Sequence, residues 1–261
     1  MPRVIAITGA SAGIGRATAL RLARDGASIA ICARRRDRLD DVAADIVKAG
    51  GQALAVVADV ASEEAMQMFV GTTVERFGTL DVMMCNAGFG IYGAIDDITP
   101  DQMHKLMDIN YFGTYYAARA ALSIFRQKQR GHVVIVSSIV GKRGVPYMGA
   151  YAATKFAQVG MAECLRSELH GSNIHVSVVC PVSTVTEFTD VMTRETGAGV
   201  SESLGPAQSA EHVAEAVARA IDNPVPEVHP YFKSRGLVLL NAIAPGFTDK
   251  IVQKFGRKPA R

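Results

Sequence analysis

The chain has 261 residues, of which 49% are hydrophobic and 20% charged; this composition excludes a disordered chain and a fibrous repeat. Twenty-eight Lys+Arg against 25 Asp+Glu give a net charge of +3. That balance is too mild to point to nucleic acid, whose binding proteins concentrate basic charge in a dense one-sided patch.

Short apolar runs alternate with longer helical patterns. Strands are expected at Val4–Thr8, Ala27–Ala33, Ala53–Ala58, Leu80–Cys85, His132–Ser137 and Ile174–Cys180. Each run is continuously apolar, as it is when helices cover both faces of a sheet. Helices are expected at Ile14–Asp25, Arg38–Lys48, Glu63–Phe77, Pro100–Gln127 and Ala152–His170, with Gly26, Gly50-Gly51 and Gly78 at their ends. The segment 183–208 is rich in Thr, Ser, Glu and Gly without a strong period, and directly follows a strand. Ligands bind at that end of such sheets, so the segment reads as a mobile lid. A helix Ala210–Ile221, a strand near Val228–Phe232 and a C-terminal extension Lys233–Arg261 follow. The β–α–β rhythm predicts a parallel sheet with right-handed crossovers.

The four cysteines, at 32, 85, 164 and 180, lack CxxC spacing, so buried reduced thiols are expected and no metal site. The N-terminus has no signal-peptide layout. The apolar run Gly236–Ile243 is far short of the ~20 residues of a transmembrane helix. A soluble, cytoplasmic protein is the expectation.

The first strand runs into Thr8-Gly9-Ala10-Ser11-Ala12-Gly13-Ile14-Gly15. Gly9 allows a tight turn, Gly13 lets the backbone approach a pyrophosphate, and Gly15 permits close packing of helix on strand. The helix start then offers free N–H groups to an anion. This TGxxxGIG pattern resembles the short-chain dehydrogenase/reductase family, and the likeness runs from Val4 to about Asn223. The resemblance implies an α/β fold. It would be a single-domain, Rossmann-type, doubly wound parallel sheet of about seven strands flanked by helices, with cofactor and active site on one domain. It also implies that Gly9, Ser11, Gly13, Ile14 and Gly15 hold the cofactor's phosphates, that Asp59-Val60 contact the adenine, and that Asn86-Ala87-Gly88 lie beside the adenine ribose. Relatives often read PGxVxT after the sixth strand; here Pro181-Val182-Ser183-Thr184-Val185-Thr186 keeps Pro181 and Thr186 and replaces the glycine with Val182.

An NAD-binding chain usually places Asp or Glu at the end of the second strand. Here that position reads Cys32-Ala33-Arg34-Arg35-Arg36, with no acid before Asp37. Guanidinium groups hold a 2′-phosphate through charge-assisted bonds. NADP(H) is therefore the expected cofactor, with Arg34 and Arg35 as its phosphate partners.

Tyr151-Ala152-Ala153-Thr154-Lys155 is a YxxxK pattern, and residues four apart share a helix face. Ser138 lies 13 residues upstream at a strand end. Ser137 competes with it, since only one of two neighbours on a strand can face the site. Asn110 sits inside a helical segment that does not favour asparagine. Together they resemble the family's Asn–Ser–Tyr–Lys tetrad. The resemblance implies that Tyr151 is the general acid–base, that Lys155 eases its ionisation and bonds the nicotinamide ribose, that Ser138 donates to the substrate oxygen, and that Asn110 holds a water linking Lys155 to solvent.

Phe89, Ile91, Tyr92, Val145, Met148, Val185, Phe188, Val191 and Met192 give the site greasy surroundings, so a lipophilic small-molecule ketone, aldehyde or alcohol is expected. A 3-oxoacyl-carrier-protein reductase is the alternative and would need a basic patch, for which Lys142-Arg143 is a candidate. A non-catalytic NADPH-sensing regulator is the alternative from another class, and the intact tetrad argues against it. Relatives often form homodimers or homotetramers through the helices after the fourth and fifth strands, which the family likeness extends to this chain. The C-terminal extension would shape the pocket rim or meet a second subunit in preference to a membrane surface.

Overall fold

Strand β1 (Val4–Thr8) is buried at every position. Side chains alternate across a strand, so Val4 and Ala6 enter one apolar core while Ile5 and Ile7 enter another on the opposite face. The computed structural model describes residues 2–196 and 207–253. Around β1 it arranges β2 (Ser28–Ala33), β3 (Gln52–Val57), β4 (Val82–Cys85), β5 (Arg130–Val136) and β6 (Asn173–Val179). With the later β9 (Glu227–Val228), these make one parallel seven-stranded sheet in the order β3-β2-β1-β4-β5-β6-β9. The order reverses between β1 and β4, and a crevice opens above the strand ends at such a switch point.

Helices cover both faces, as the all-apolar strands require. The core of Ile5, Ile29, Ile31, Leu39, Val42 and Val217 lies beneath α1 (Gly13–Ala23), α2 (Arg36–Lys48) and α8 (Ala210–Asp222). The core of Phe69, Met83, Phe125, Val133 and Val159 lies beneath α3 (Glu63–Phe77), α5 (Gly113–Lys128) and α6 (Gly149–Glu168).

Four details differ from the sequence reading. The long helix expected over Pro100–Gln127 is α4 (Pro100–Leu106), a π-helical turn over Met107–Phe112, and α5. The wider turn explains how an asparagine fits at Asn110, and such turns recur at functional sites. The strand expected near Val228–Phe232 is only Glu227–Val228, since Pro230 lacks the N–H needed to continue a ladder. The C-terminal extension, for which no element was expected, forms α9 (Ser234–Ile243) and α10 (Pro245–Val252). Cys164 is exposed, while Cys32, Cys85 and Cys180 are buried. In the expected lid, β7 (Thr184–Val185) pairs with β8 (Gln208–Ser209) and α7 (Phe188–Thr196) follows β7; positions 197–206 lie outside the described residues.

Candidate active site

A cleft of about 800 Å³ runs over the strand ends from Arg34 and Arg35, past Gly9, Ser11, Gly13 and Ile14, to Ser138, Tyr151 and Lys155. At its centre Gly9 and Gly13 have φ of +66° and +56°, a left-handed conformation that favours glycine. A Cβ on Gly9 would sit 2.6 Å from Ala87 Cα. A Cβ on Gly15 would meet the Asn86 amide at 2.6 Å, so the turn and the Asn86-Ala87-Gly88 segment interlock. Asn86 Nδ2 donates to Thr8 O (2.9 Å) and Gly9 O (3.1 Å), while Thr8 Oγ1 accepts from Asn86 N (3.0 Å) and Ala87 N (3.1 Å). The Asn86 side-chain amide thus clamps the glycine turn.

The start of α1 has no side-chain cap and no acid in its first turn. Its N–H groups therefore present roughly half a positive charge to an incoming anion. This uncapped start, the left-handed glycines and the basic mouth fit a dinucleotide diphosphate. Asp59 and Val60 line the same cleft beyond β3, and Val60 also packs where a Cβ on Gly113 would fall. Pro181 and Thr186 close it from above. Pro181 O accepts from Ile139 N (2.9 Å), and Thr186 lies against Gly13. Val182, standing where relatives have glycine, is not among the residues of positive φ, so the backbone there does not require glycine.

At the basic mouth the structure adds two residues to those expected. Arg35 lies 3.4 Å from the Glu187 carboxylate, and its Nη2 also donates to Ser11 Oγ at 3.3 Å. Arg38 reaches the same carboxylate at 3.2 Å. Glu187, just before α7, thus occupies Arg35, one of the two cations expected to bind phosphate, together with Arg38. Arg38 belongs to a visible basic run; nothing in sequence spacing marks Glu187.

At the other end α6 turns Tyr151, Thr154, Lys155 and Gln158 inward, the i, i+3, i+4, i+7 face of a helix. Tyr151 and Ser138 line the same end of the cleft, and the Ser138 hydroxyl favours the ionised phenol. Ser137 lines the cleft as well, with its hydroxyl engaged in donating to Lys155 O at 3.0 Å. The Phe188 ring of the lid covers Tyr151 at 5.5 Å between centroids. A Cβ on Gly90 would fall 2.4 Å from Met192 Cε and 2.9 Å from Phe188 Cζ, so this glycine makes room for the lid.

Lys155 Nζ donates to Val136 O (3.0 Å) and Gln158 Oε1 (3.1 Å). Gln158 Nε2 in turn donates to Asn110 O (2.7 Å) and Thr114 Oγ1 (2.7 Å). The Gln158 amide thus joins Lys155 to the Asn110 carbonyl. The Asn110 side chain is committed elsewhere: it accepts from Phe89 N (2.9 Å) and donates to Phe89 O (2.9 Å) and Thr154 Oγ1 (3.0 Å). It therefore fixes the segment after Gly88 to the π turn. Gln158 went unnoticed in the sequence, although its spacing of three from Lys155 on one helix was a usable signal.

Electrostatics also depart from expectation. Burial lowers Lys155 to about 7, and burial raises the Tyr151 phenol well above its ordinary value, opposed by the Ser138 hydroxyl. Lys155 Nζ lies 5.5 Å from the centre of the Tyr151 ring. The folded site therefore keeps Tyr151 protonated. Lys142 and Arg143, expected as a candidate patch for an acidic carrier, are engaged within the fold. Lys142 pairs with Glu227 at 2.5 Å, and Arg143 with Asn241 Oδ1 at 2.9 Å and with Asp249. Among the described residues no cluster of His, Cys, Asp or Glu has the arrangement of a metal site.

The short chain dehydrogenase family matches residues 3–197. An uncharacterized oxidoreductase of Listeria innocua is 33% identical over 226 residues, covering 85% of this chain and 91% of its own. Among solved structures, an alcohol dehydrogenase from Thermococcus sibiricus, complexed with 5-hydroxy-NADP, superposes with a TM-score of 0.78 at 28% identity, covering 88% of this chain and 96% of its own. A 3-ketoacyl-ACP reductase from Sinorhizobium meliloti superposes with a TM-score of 0.77 at 35% identity, covering 87% and 97%.

Proposed function

This chain belongs to the short-chain dehydrogenase family, oxidoreductases of alcohol and ketone groups, and we propose that it is an NADP(H)-dependent reductase of lipophilic ketones or aldehydes. The observation that carries the reading is one cleft with two unlike ends. A phenol and a serine hydroxyl line one end among apolar walls, and two arginines stand at the far mouth. When bound, the dinucleotide supplies the hydride to carbon, or takes it in alcohol oxidation.

The chain's own residues do the rest. Gly9, Ser11, Gly13, Ile14, Gly15 and the start of α1 take the diphosphate. Arg34 and Arg35, with Arg38, take the 2′-phosphate. Asp59, Val60, Asn86, Ala87 and Gly88 border the adenosine, and Pro181 and Thr186 border the nicotinamide end. Ser138 donates to the substrate oxygen, where negative charge develops as carbon is reduced. Tyr151 delivers its proton to that oxygen; the raised pKa keeps the proton in place until the oxygen becomes basic enough to take it. Lys155 bonds the nicotinamide ribose and passes protons toward Tyr151. Asn110 and Gln158 position it.

Phe89, Tyr92, Val140, Val145, Met148 and the lid residues Phe188, Val191 and Met192 wall the substrate end. Such a lining favours an apolar compound with one polar anchor. Similarity to the Sinorhizobium enzyme favours a carrier-bound 3-oxoacyl substrate as the second reading. The engagement of Lys142 and Arg143 with Glu227 and Asp249 counts against it, because an acidic carrier would have to break those pairs. Both readings place the cofactor and catalytic residues on a single domain in the cytoplasm. They are compatible with pairing of copies through α5 and α6, which expose Tyr115 and Phe156.

The test is kcat/KM with NADPH and with NADH on a panel of hydrophobic ketones. A preference of at least tenfold for NADPH is expected, and equal or better use of NADH overturns the cofactor assignment.

A further inference from the structure

Helix α9 has two apolar sides. On the inner one, Val238 packs against the cluster that holds Phe89, Tyr151 and Val182, as does Tyr231 just before the helix, so this segment backs the substrate end of the cleft. Arg143 ties it in place through Asn241, and α10 through Asp249.

The outer side faces solvent. Arg235, Gly236, Leu239, Ala242 and Ile243 are exposed and recur at the three- and four-residue steps of one helix face. Leu239 is 62% exposed and Ile243 75%; Phe232, in the turn before α9, is 73% exposed and Phe247, in α10, 59%. Four of the large apolar side chains most open to solvent therefore fall within 16 residues, on α9, α10 and the turn before them, the two helices being packed against each other. Singly exposed apolar residues need no explanation, but a grouped set on one short segment does.

Charge identifies the partner. Residues 232–261 hold seven of the 28 Lys+Arg and one of the 25 Asp+Glu, so the other 231 residues, with 21 against 24, carry a net −3. The single acid, Asp249, is paired with Arg143. Lys233, Arg235 and Lys250 stand exposed around the apolar face, and the Arg235 guanidinium lies 5.9 Å from the centre of the Phe232 ring. Among the described residues of this segment, three cations thus accompany the exposed apolar side chains, against one acid that is already paired. A second copy would bring the same positive charge against itself, whereas an anionic lipid surface offers the opposite sign and a place for the apolar groups. Helix α9, with 10 residues, spans about 15 Å and cannot cross a ~30 Å bilayer core, so it would lie along the surface.

We propose that the outer face of α9 and α10 seats this protein on anionic membranes, with Phe232, Leu239, Ile243 and Phe247 entering the lipid and Lys233, Arg235 and Lys250 pairing with headgroup charge. The seat places the substrate end of the cleft beside the source of an apolar substrate. It does not depend on the redox reading, because binding is measured without substrate.

The test is flotation of the full chain with phosphatidylcholine vesicles, with or without 30 mol% phosphatidylglycerol, at low and physiological salt. Leu239→Ser/Ile243→Ser and Lys233→Glu/Arg235→Glu/Lys250→Glu variants are compared, with circular dichroism and light scattering as checks of fold and size. The proposal expects binding to the anionic vesicles alone, weakened by salt and reduced at least tenfold by each variant set while the fold stays intact. Absence of binding to anionic vesicles, or binding that both variant sets leave unchanged, overturns it. So does a wild-type oligomer that the serine variants dissociate while vesicles stay unbound, which would assign the face to a second copy.

Discussion

Lys155 Nζ and Gln158 Oε1 are 3.1 Å apart on one face of α6, and the other end of the glutamine amide is fixed to Asn110 O. Both residues are buried, so the amide is a side-chain acceptor for the lysine in a setting that disfavours its charge. A carboxylate in the same place would favour the ammonium. Gln158→Glu is therefore expected to raise the Lys155 titration midpoint by at least one unit above its starting value near 7, read by NMR of 13Cε-labelled lysine. Gln158→Leu leaves the lysine without that acceptor, which costs about 1–3 kcal/mol. It should lower kcat about tenfold with the KM for NADPH within about twofold. An unmoved midpoint in Gln158→Glu would reduce Gln158 to a packing residue.

Glu187 competes with the cofactor in the proposed scheme. Its carboxylate sits on Arg35 and Arg38, and a 2′-phosphate bound there must displace it or be repelled by it. The pair is about half exposed, so screening limits the effect. Glu187→Gln should lower the KM for NADPH severalfold and leave that for NADH unchanged. Arg35→Ala/Arg38→Ala should raise the KM for NADPH by about ten- to a hundredfold, as expected for losing two charge-assisted partners. Parallel changes with the two cofactors would contradict the assignment of this mouth to phosphate.

The contrast between these two sites shows what sequence makes legible. Strand runs such as Val4–Thr8 and the glycine turn are readable because burial on both faces and left-handed backbone each demand particular residue types locally. Tyr151 and Lys155 are readable because they are four apart on one helix. Glu187 is not, because it meets Arg35 across 152 positions through a fold-level closure that no local period encodes. The side-chain contacts of Asn110 are illegible for the same reason. Its partners Phe89 and Thr154 are 21 and 44 residues away, and only the π turn aims it at them. Helices α9 and α10 were missed because Gly236, Pro245 and Gly246 break a pattern that packing on the cleft then stabilises.

Burial of Lys155 makes stability depend on pH in a definite direction. Its folded value, about 7, lies below the ordinary 10.5, so between those limits the unfolded chain binds more protons than the folded one. Stability from this group therefore increases with pH across that window and is lowest at and below pH 7. Lys155→Met removes the penalty. The variant should be more stable than wild type at pH 7 by a few kcal/mol, at about 1.4 kcal/mol per unit, less the hydrogen bonds it loses. The advantage should shrink steadily toward pH 9.5. Denaturant titrations of both proteins over pH 6–9.5 check this; a difference constant with pH would mean that the lysine is not held near neutrality.

The central claim is that Tyr151 gives the proton in carbonyl reduction, and single-turnover stopped-flow with Tyr151→Phe tests it most directly. NADPH binding is followed by fluorescence and its oxidation by absorbance, with a hydrophobic ketone that the wild type reduces. The account predicts that the variant binds NADPH within about threefold of wild type and oxidises it 10²–10⁴-fold more slowly, the range expected for losing general acid catalysis. Near-normal oxidation by Tyr151→Phe would contradict it and move the proton donor to another group.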